Sequence, residues 1–193
     1  MEITFIRHGQ GEHTLSLPGS LQLEDPSLTE AGKEQARSLS TVFPVTKDDL
    51  VVVSPVRRTL QTASLIAGES GCRRVVHPLV SPRMFPQKPG AVTLPCDRML
   101  DLKTIRNEFP DFEVKFGMDP DMWASGINVM PHDEFSEWAD IFLRWIEDQG
   151  AHHVYVVSHD GTITAYRERL RRETLSRADF LNDAGWTREQ FGQ

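Results

Sequence analysis

Residues 3–9 read Ile3-Thr4-Phe5-Ile6-Arg7-His8-Gly9, a β-branched and apolar run that stops on an arginine, a histidine and a glycine. The run reads as a strand, so an imidazole and a guanidinium stand together at its carboxyl end. Open α/β sheets bind ligands at that end of their strands. A glycine directly after the histidine lets backbone come close to whatever sits there. A second segment of the same form, Val154-Tyr155-Val156-Val157-Ser158-His159-Asp160-Gly161, ends on another histidine. Together they predict one site built from both ends of the chain.

Strand and helix patterns alternate between these two segments. Residues 2–6 read as strand, and Asp25-Pro26-Ser27-Leu28-Thr29-Glu30 as a turn leading into a helix capped by Thr29 and ending before Pro44. Leu50-Val51-Val52-Val53 is a buried-type strand. A helix from Val56 to Ala67 follows, with Ser54 as its cap, Pro55 at its first position and Gly68 at its end. Arg74 to His77 reads as a third strand. Residues 78–97 carry Pro78, Pro82, Pro86, Pro89 and Pro95 and read as a long irregular loop. A helix is expected from Leu100 to Phe109, a second irregular stretch over 110–133, and an amphipathic helix from Glu134 to Gln149. Strand 153–158 and a helix from Thr162 to Leu170 complete the core, and the last twenty residues suggest one or two short helices. The expected architecture is α/β, a largely parallel central sheet with helices on both faces. It forms a single domain over 1–193, with the two irregular loops as a lid over the carboxyl edge.

The chain has 193 residues and a net charge of −7, so a general basic footprint for nucleic acid is absent. No apolar run reaches the roughly 20 residues that cross a bilayer. Cys72 and Cys96 match no metal spacing and read as free thiols. No nucleic-acid or membrane partner and a cytoplasmic location are the expectations; the oligomeric state is left open.

Three segments carry the chemistry: Arg7-His8-Gly9, Ser54-Pro55-Val56-Arg57-Arg58-Thr59-Leu60-Gln61-Thr62-Ala63, and Ser158-His159-Asp160-Gly161. Guanidinium forks match the tetrahedral oxygens of phosphate. An imidazole among guanidiniums stays neutral and nucleophilic, because nearby positive charge disfavours its protonation. With Leu28-Thr29-Glu30-Ala31-Gly32-Lys33-Glu34-Gln35-Ala36 added, the order and separation of these segments resemble the histidine phosphatase superfamily, the phosphoglycerate mutase-like family, over roughly residues 2–170.

That resemblance implies a three-layer α/β/α fold and a phosphatase acting on small phosphate monoesters through a phosphohistidine, with neither cofactor nor metal. His8 would be the nucleophile, Arg7 and Arg58 the clamp, and His159 a hydrogen-bond donor to the transferring group. Gly11 and Thr14 lie in a loop that touches phosphate in the family, Thr14 standing where asparagine is common. Arg57, one position off the family's arginine, reads as surface or substrate rim. The stretch Pro78-Leu79-Val80-Ser81-Pro82-Arg83 lacks the glutamate that serves the family's larger branch as general acid. Asp160 is therefore expected to be the proton donor, with Asp97 and Asp101 as rivals. Arg83, with Lys88 and Arg98, is a candidate for a second anionic group of the substrate. His13, His77, His132, His152 and His153 read as surface or loop residues. Phosphoglycerate mutase-type transfer, a silent phosphate-binding or scaffold module, and a metal hydrolase built on His8, His13, His159 and Asp160 are the competing readings. The arginines repel a divalent metal and argue against the last.

Overall fold

The β-branched runs do form the centre of the molecule. A computed structural model, describing residues 1–115 and 117–192, contains one six-stranded sheet. In chain order the strands are β1 (Glu2–Arg7), β2 (Leu50–Val53), β3 (Arg73–Val76), β4 (Glu113–Val114), β5 (Val154–Ser158) and β6 (Trp186–Gln190). Their spatial order is β4-β3-β2-β5-β1-β6, and only β6 runs antiparallel to its neighbour. The helices are α1 (Glu30–Val42), α2 (Arg57–Ala67), α3 (Leu102–Glu108), α4 (Pro120–Ser125), α5 (His132–Asp148) and α6 (Asp160–Arg171).

Successive side chains of a strand point to opposite faces, and here both faces are apolar. Ile3, Phe5, Leu50, Val52, Val154 and Val156 meet Phe135, Phe142 and Ile146 of α5 and Ile163 and Tyr166 of α6. Ile6, Val51, Val53, Tyr155 and Val157 meet Leu39 of α1, Leu60 and Ile66 of α2 and Ile105 of α3. The expected α/β/α layering is borne out.

The local corrections have physical causes. The C-terminal stretch holds one short 3-10 helix, Arg177–Asp179, and then forms an edge strand that the sequence reading did not expect. It covers the free side of β1, and its inward Glu189 is buried because Arg171 donates to both of its carboxylate oxygens, at 2.8 and 2.7 Å. Residues 110–133 are not wholly irregular, since they hold β4 and α4. Helix α2 begins at Arg57 with no side-chain cap, because its cap position is the apolar Val56 and Ser54 bonds elsewhere, and α6 begins at Asp160 rather than Thr162. Thr29 does cap α1, accepting from the Gly32 N–H at 3.0 Å.

The glycine after His8 faces protein. A Cβ on Gly9 would lie 2.3 Å from the Gly32 carbonyl oxygen, and one on Gly32 would lie 2.1 Å from that of Gln10. The loop after β1 thus docks backbone to backbone on the first turn of α1, fixing where His8 sits. Gly9→Ala is expected to lower the unfolding free energy by about 1–3 kcal/mol through overpacking. A Cβ on Gly19 meets nothing within 4 Å, so Gly19→Ala should stay within about 0.5 kcal/mol. Urea unfolding of both variants measures the contrast.

Candidate active site

Parallel pairing of β1 with β5 puts Arg7 opposite Ser158, so the two strands release their histidines side by side. The His8 N–H donates to the Ser158 carbonyl at 3.1 Å, and the His8 and His159 rings stand 5.1 Å apart between centroids. The two imidazoles predicted to meet from opposite ends of the chain do meet. Both are buried on the wall of a cleft of about 550 Å³ at the carboxyl edge of the sheet.

His8 Nδ1 lies 2.7 Å from the Gly9 carbonyl oxygen. A carbonyl only accepts, so Nδ1 carries the proton and Nε2 keeps its lone pair. Arg58, in the first turn of α2 and 1 % exposed, aims its Nε–H at that lone pair from 3.2 Å. Its other donors reach the Cys96 carbonyl (2.7 Å), Asp97 Oδ1 (2.9 Å) and His159 Nδ1 (3.3 Å). Since a guanidinium cannot accept, His159 Nδ1 is the acceptor. Its Nε2–H then donates to Ser54 Oγ at 2.8 Å. Ser54, read from the sequence as a helix cap, instead orients this ring.

Arg7 is held from the chain's other end. Its Nη1 donates to the Leu181 carbonyl at 2.5 Å, and its Nη2 lies 3.2 Å from Asp160 Oδ2 and 3.3 Å from Asp183 Oδ1. Its Nε is buried without a hydrogen-bond partner, the kind of donor a bound anion satisfies.

His13 is the site residue that the sequence reading missed. It is buried, lines the cleft and stacks 5.5 Å from His8. Gly11 makes this possible: a Cβ there would stand 2.5 Å from His13 Nδ1 and 3.3 Å from Arg58 Cδ. Gly11 itself does not line the cleft, so its contribution is room for those two side chains. A glycine two residues before a histidine, just past the strand, was the available signal. Thr14 lines the cleft, but its hydroxyl already donates to the Gly11 carbonyl at 2.9 Å.

Arg83 is on the cleft wall, yet its Nη1 donates to the Ile127 and Met130 carbonyls at 2.9 and 2.8 Å and its guanidinium stacks 4.1 Å above the Phe135 ring. It braces the loop more than it offers a free fork. Lys88 reaches the cleft and Arg98 does not; Arg98 pairs with Glu24. Asp97 and Asp160 line the cleft, whereas Asp101 caps α3 and stands outside it. Arg57 is tied to Asp25 and Glu108, away from the cleft. His77 is no surface residue: it is buried against Phe142 and Trp145. His132, His152 and His153 are exposed.

Burial first, then the Arg58 guanidinium, holds His8 and His159 well below the ordinary imidazole range, and His13 falls to about 3 for the same causes. All three are neutral at pH 7. The unfolded chain gains a proton on each near pH 6.5 while the folded site stays neutral, so stability is full above that pH and is lost as pH falls. For His13 the loss at pH 5 is about 2 kcal/mol. His77, also lowered to about 3, adds a separate share. His13→Ala should therefore weaken the fall in urea-unfolding free energy between pH 7 and pH 5 by about 2 kcal/mol.

Among the described residues, the metal-donor cluster lies at the opposite sheet edge, where Asp49, His152 and His153 bring ligand atoms within 4.8 Å of one another. Among the described residues no helix is long and apolar enough to cross a membrane.

The chain is similar to known proteins. A probable phosphatase of Schizosaccharomyces pombe is 37% identical over 65 residues, a match spanning 33% of this chain and 30% of that protein. The alpha-ribazole phosphatase of Shigella flexneri superposes with a TM-score of 0.60 at 21% identity, covering 100% of this chain and 92% of the other. A phosphoserine phosphatase mutant of Entamoeba histolytica, in complex with phosphoserine, gives 0.60 at 19% identity, covering 97% and 89%. Residues 3–188 match the histidine phosphatase superfamily (branch 1), and the chain belongs to that family.

Proposed function

We propose that this chain is a phosphatase that hydrolyses small phosphate monoesters through a phosphohistidine on His8 Nε2. One observation carries the reading: the Gly9 carbonyl fixes the His8 tautomer so that its lone pair faces a pocket of guanidinium donors. A neutral imidazole needs no proton removed before it attacks phosphorus. Arg7 Nε and the Arg58 fork stabilise the equatorial oxygens, because phosphoryl transfer is chiefly positioning and charge stabilisation.

His159 contributes through its tautomer. With a phosphoryl oxygen at Nδ1, the Ser54 hydroxyl donates to Nε2 and Nδ1–H becomes a donor to that oxygen, the reverse of the arrangement with Arg58 at Nδ1. His13, neutral beside His8, adds a further imidazole to the ring. Thr14 and Arg83 shape the wall, and Asp160 holds Arg7 in register.

A cleft of about 550 Å³ suits a small metabolite, and the exposed Lys88 and Arg177 at its mouth suit one with additional anionic groups. Hydrolysis is favoured over a mutase because water reaches the site: the Asp97 and Asp160 side chains are 27% and 32% exposed. The two buried free thiols accord with a reducing, cytoplasmic setting.

Wild-type protein exposed to a labelled phosphomonoester should acquire acid-labile, base-stable phosphate, and His8→Ala should acquire none while losing turnover by several orders of magnitude. Turnover that survives in His8→Ala would overturn the reading, and absence of label in wild type would favour a silent binding module. A panel of phosphorylated sugars, nucleotides and amino acids, compared between the two proteins, identifies the substrate.

A further inference from the structure

Departure of an alkoxide from phosphorus requires a proton, and the histidines of the cleft are neutral. Among the described residues lining the cleft, the carboxyls are Asp97 and Asp160. Their surroundings differ in a way that separates their roles.

Asp160 is engaged by its own surroundings. It opens α6, where the helix dipole favours negative charge. Its Oδ1 accepts from the Gly161 N–H at 2.6 Å, and its Oδ2 faces Arg7 Nη2 at 3.2 Å. One oxygen accepts a hydrogen bond and the other stands in an ion pair, which leaves Asp160 suited to holding Arg7.

Asp97 ends the short turn Pro95–Asp97, with Oδ1 on Arg58 Nη2 at 2.9 Å. The same guanidinium holds the Cys96 carbonyl at 2.7 Å, so the turn is pinned against the group that grips the phosphoryl oxygens. Arg58 is 1 % exposed and the Asp97 side chain 27%, so the carboxyl borders the cleft beside the guanidinium. Burial raises the proton affinity of Asp97 above that of an ordinary aspartate, and the negative charge of Asp160 adds to this. Arg58 and the Asn128 amide oppose it without cancelling it. A phosphoryl dianion drawn onto Arg58 both competes for that guanidinium and repels the carboxylate, so substrate binding itself favours the protonated acid. Its surroundings favour the protonated form that an acid needs, while Asp160 is committed to Arg7.

We propose that Asp97, rather than Asp160, donates the proton to the leaving oxygen and afterwards activates water; the assignment rests on the phosphohistidine reading. In the first step the His8 Nε2 lone pair forms the N–P bond. The P–O ester bond breaks with its electron pair going to the leaving oxygen, which takes the Asp97 carboxyl proton. In the second step the Asp97 carboxylate takes a proton from water as the water oxygen bonds to phosphorus. The N–P electron pair then returns to His8.

The test compares single-turnover phosphorylation of His8 by 4-nitrophenyl phosphate, whose leaving group needs no proton, and by glycerol phosphate, whose leaving group does. Asp97→Asn is expected to slow the alkyl ester by about 10²–10⁴-fold, with the aryl ester slowed less than about tenfold, and the surviving aryl reaction reports an intact fold. Asp160→Asn, which loosens Arg7, should slow both esters by similar factors. Asp97→Glu should recover part of the alkyl rate. The proposal is overturned by an alkyl rate that survives in Asp97→Asn, by equal loss on both esters in Asp97→Asn and Asp97→Glu, or by leaving-group selectivity in Asp160→Asn instead. Failure of wild type to label at His8 with either ester would strike the phosphohistidine reading, a result distinct from these.

Discussion

The parallel register between β1 and β5 is the constraint from which the site follows. It sets Arg7 against Ser158, and the next residue on each strand is a histidine. A slip of one residue would turn every side chain of β1 to the opposite face. Because Ile3 and Phe5 pack under α5 and α6 while Ile6 packs under α1 and α2, the two apolar layers forbid that slip. Core packing thereby sets the distance between two reactive rings.

Positive charge is the second organising element. Arg58 is almost fully buried, and an unpaired buried cation costs several kcal/mol. Its donors rest on a histidine lone pair, a carbonyl, a carboxylate and a second imidazole. Arg7 rests likewise on a carbonyl and two carboxylates. These acceptors keep the guanidiniums in place before a phosphoryl group arrives. They also keep the imidazoles neutral, since positive charge and burial act on them in the same direction.

Much of this was legible in the sequence. The strands β1, β2 and β5 are continuous apolar runs, Thr29 stands where a helix cap belongs, and His8, Arg58 and His159 lie at strand or helix ends. What escaped depends on contacts between distant segments. Trp186–Gln190 is polar and becomes a strand because β1 offers an unpaired edge and Arg171 neutralises the inward Glu189. His13 is buried by the folding of its loop over Gly11, and the only local trace of that contact is the glycine itself, two residues earlier. Ser54 looked like a cap because Ser-Pro commonly opens a helix, yet the partner of its hydroxyl is 105 residues away. Arg83 read as a free cation until the carbonyls of Ile127 and Met130 took up its donors.

The central position of β1 also has a consequence for biosynthesis. Both of its sheet neighbours, β5 and β6, emerge from the ribosome after residue 153. At roughly 5–20 residues per second, the first strand waits several seconds to tens of seconds before either can pair with it. Throughout that interval Ile3, Phe5 and Ile6 have no sheet to enter, and Arg7 lacks the acceptors of Leu181 and Asp183. Until β5 and β6 have been made, β1 stays an unpaired apolar strand, and the two histidines cannot be brought together.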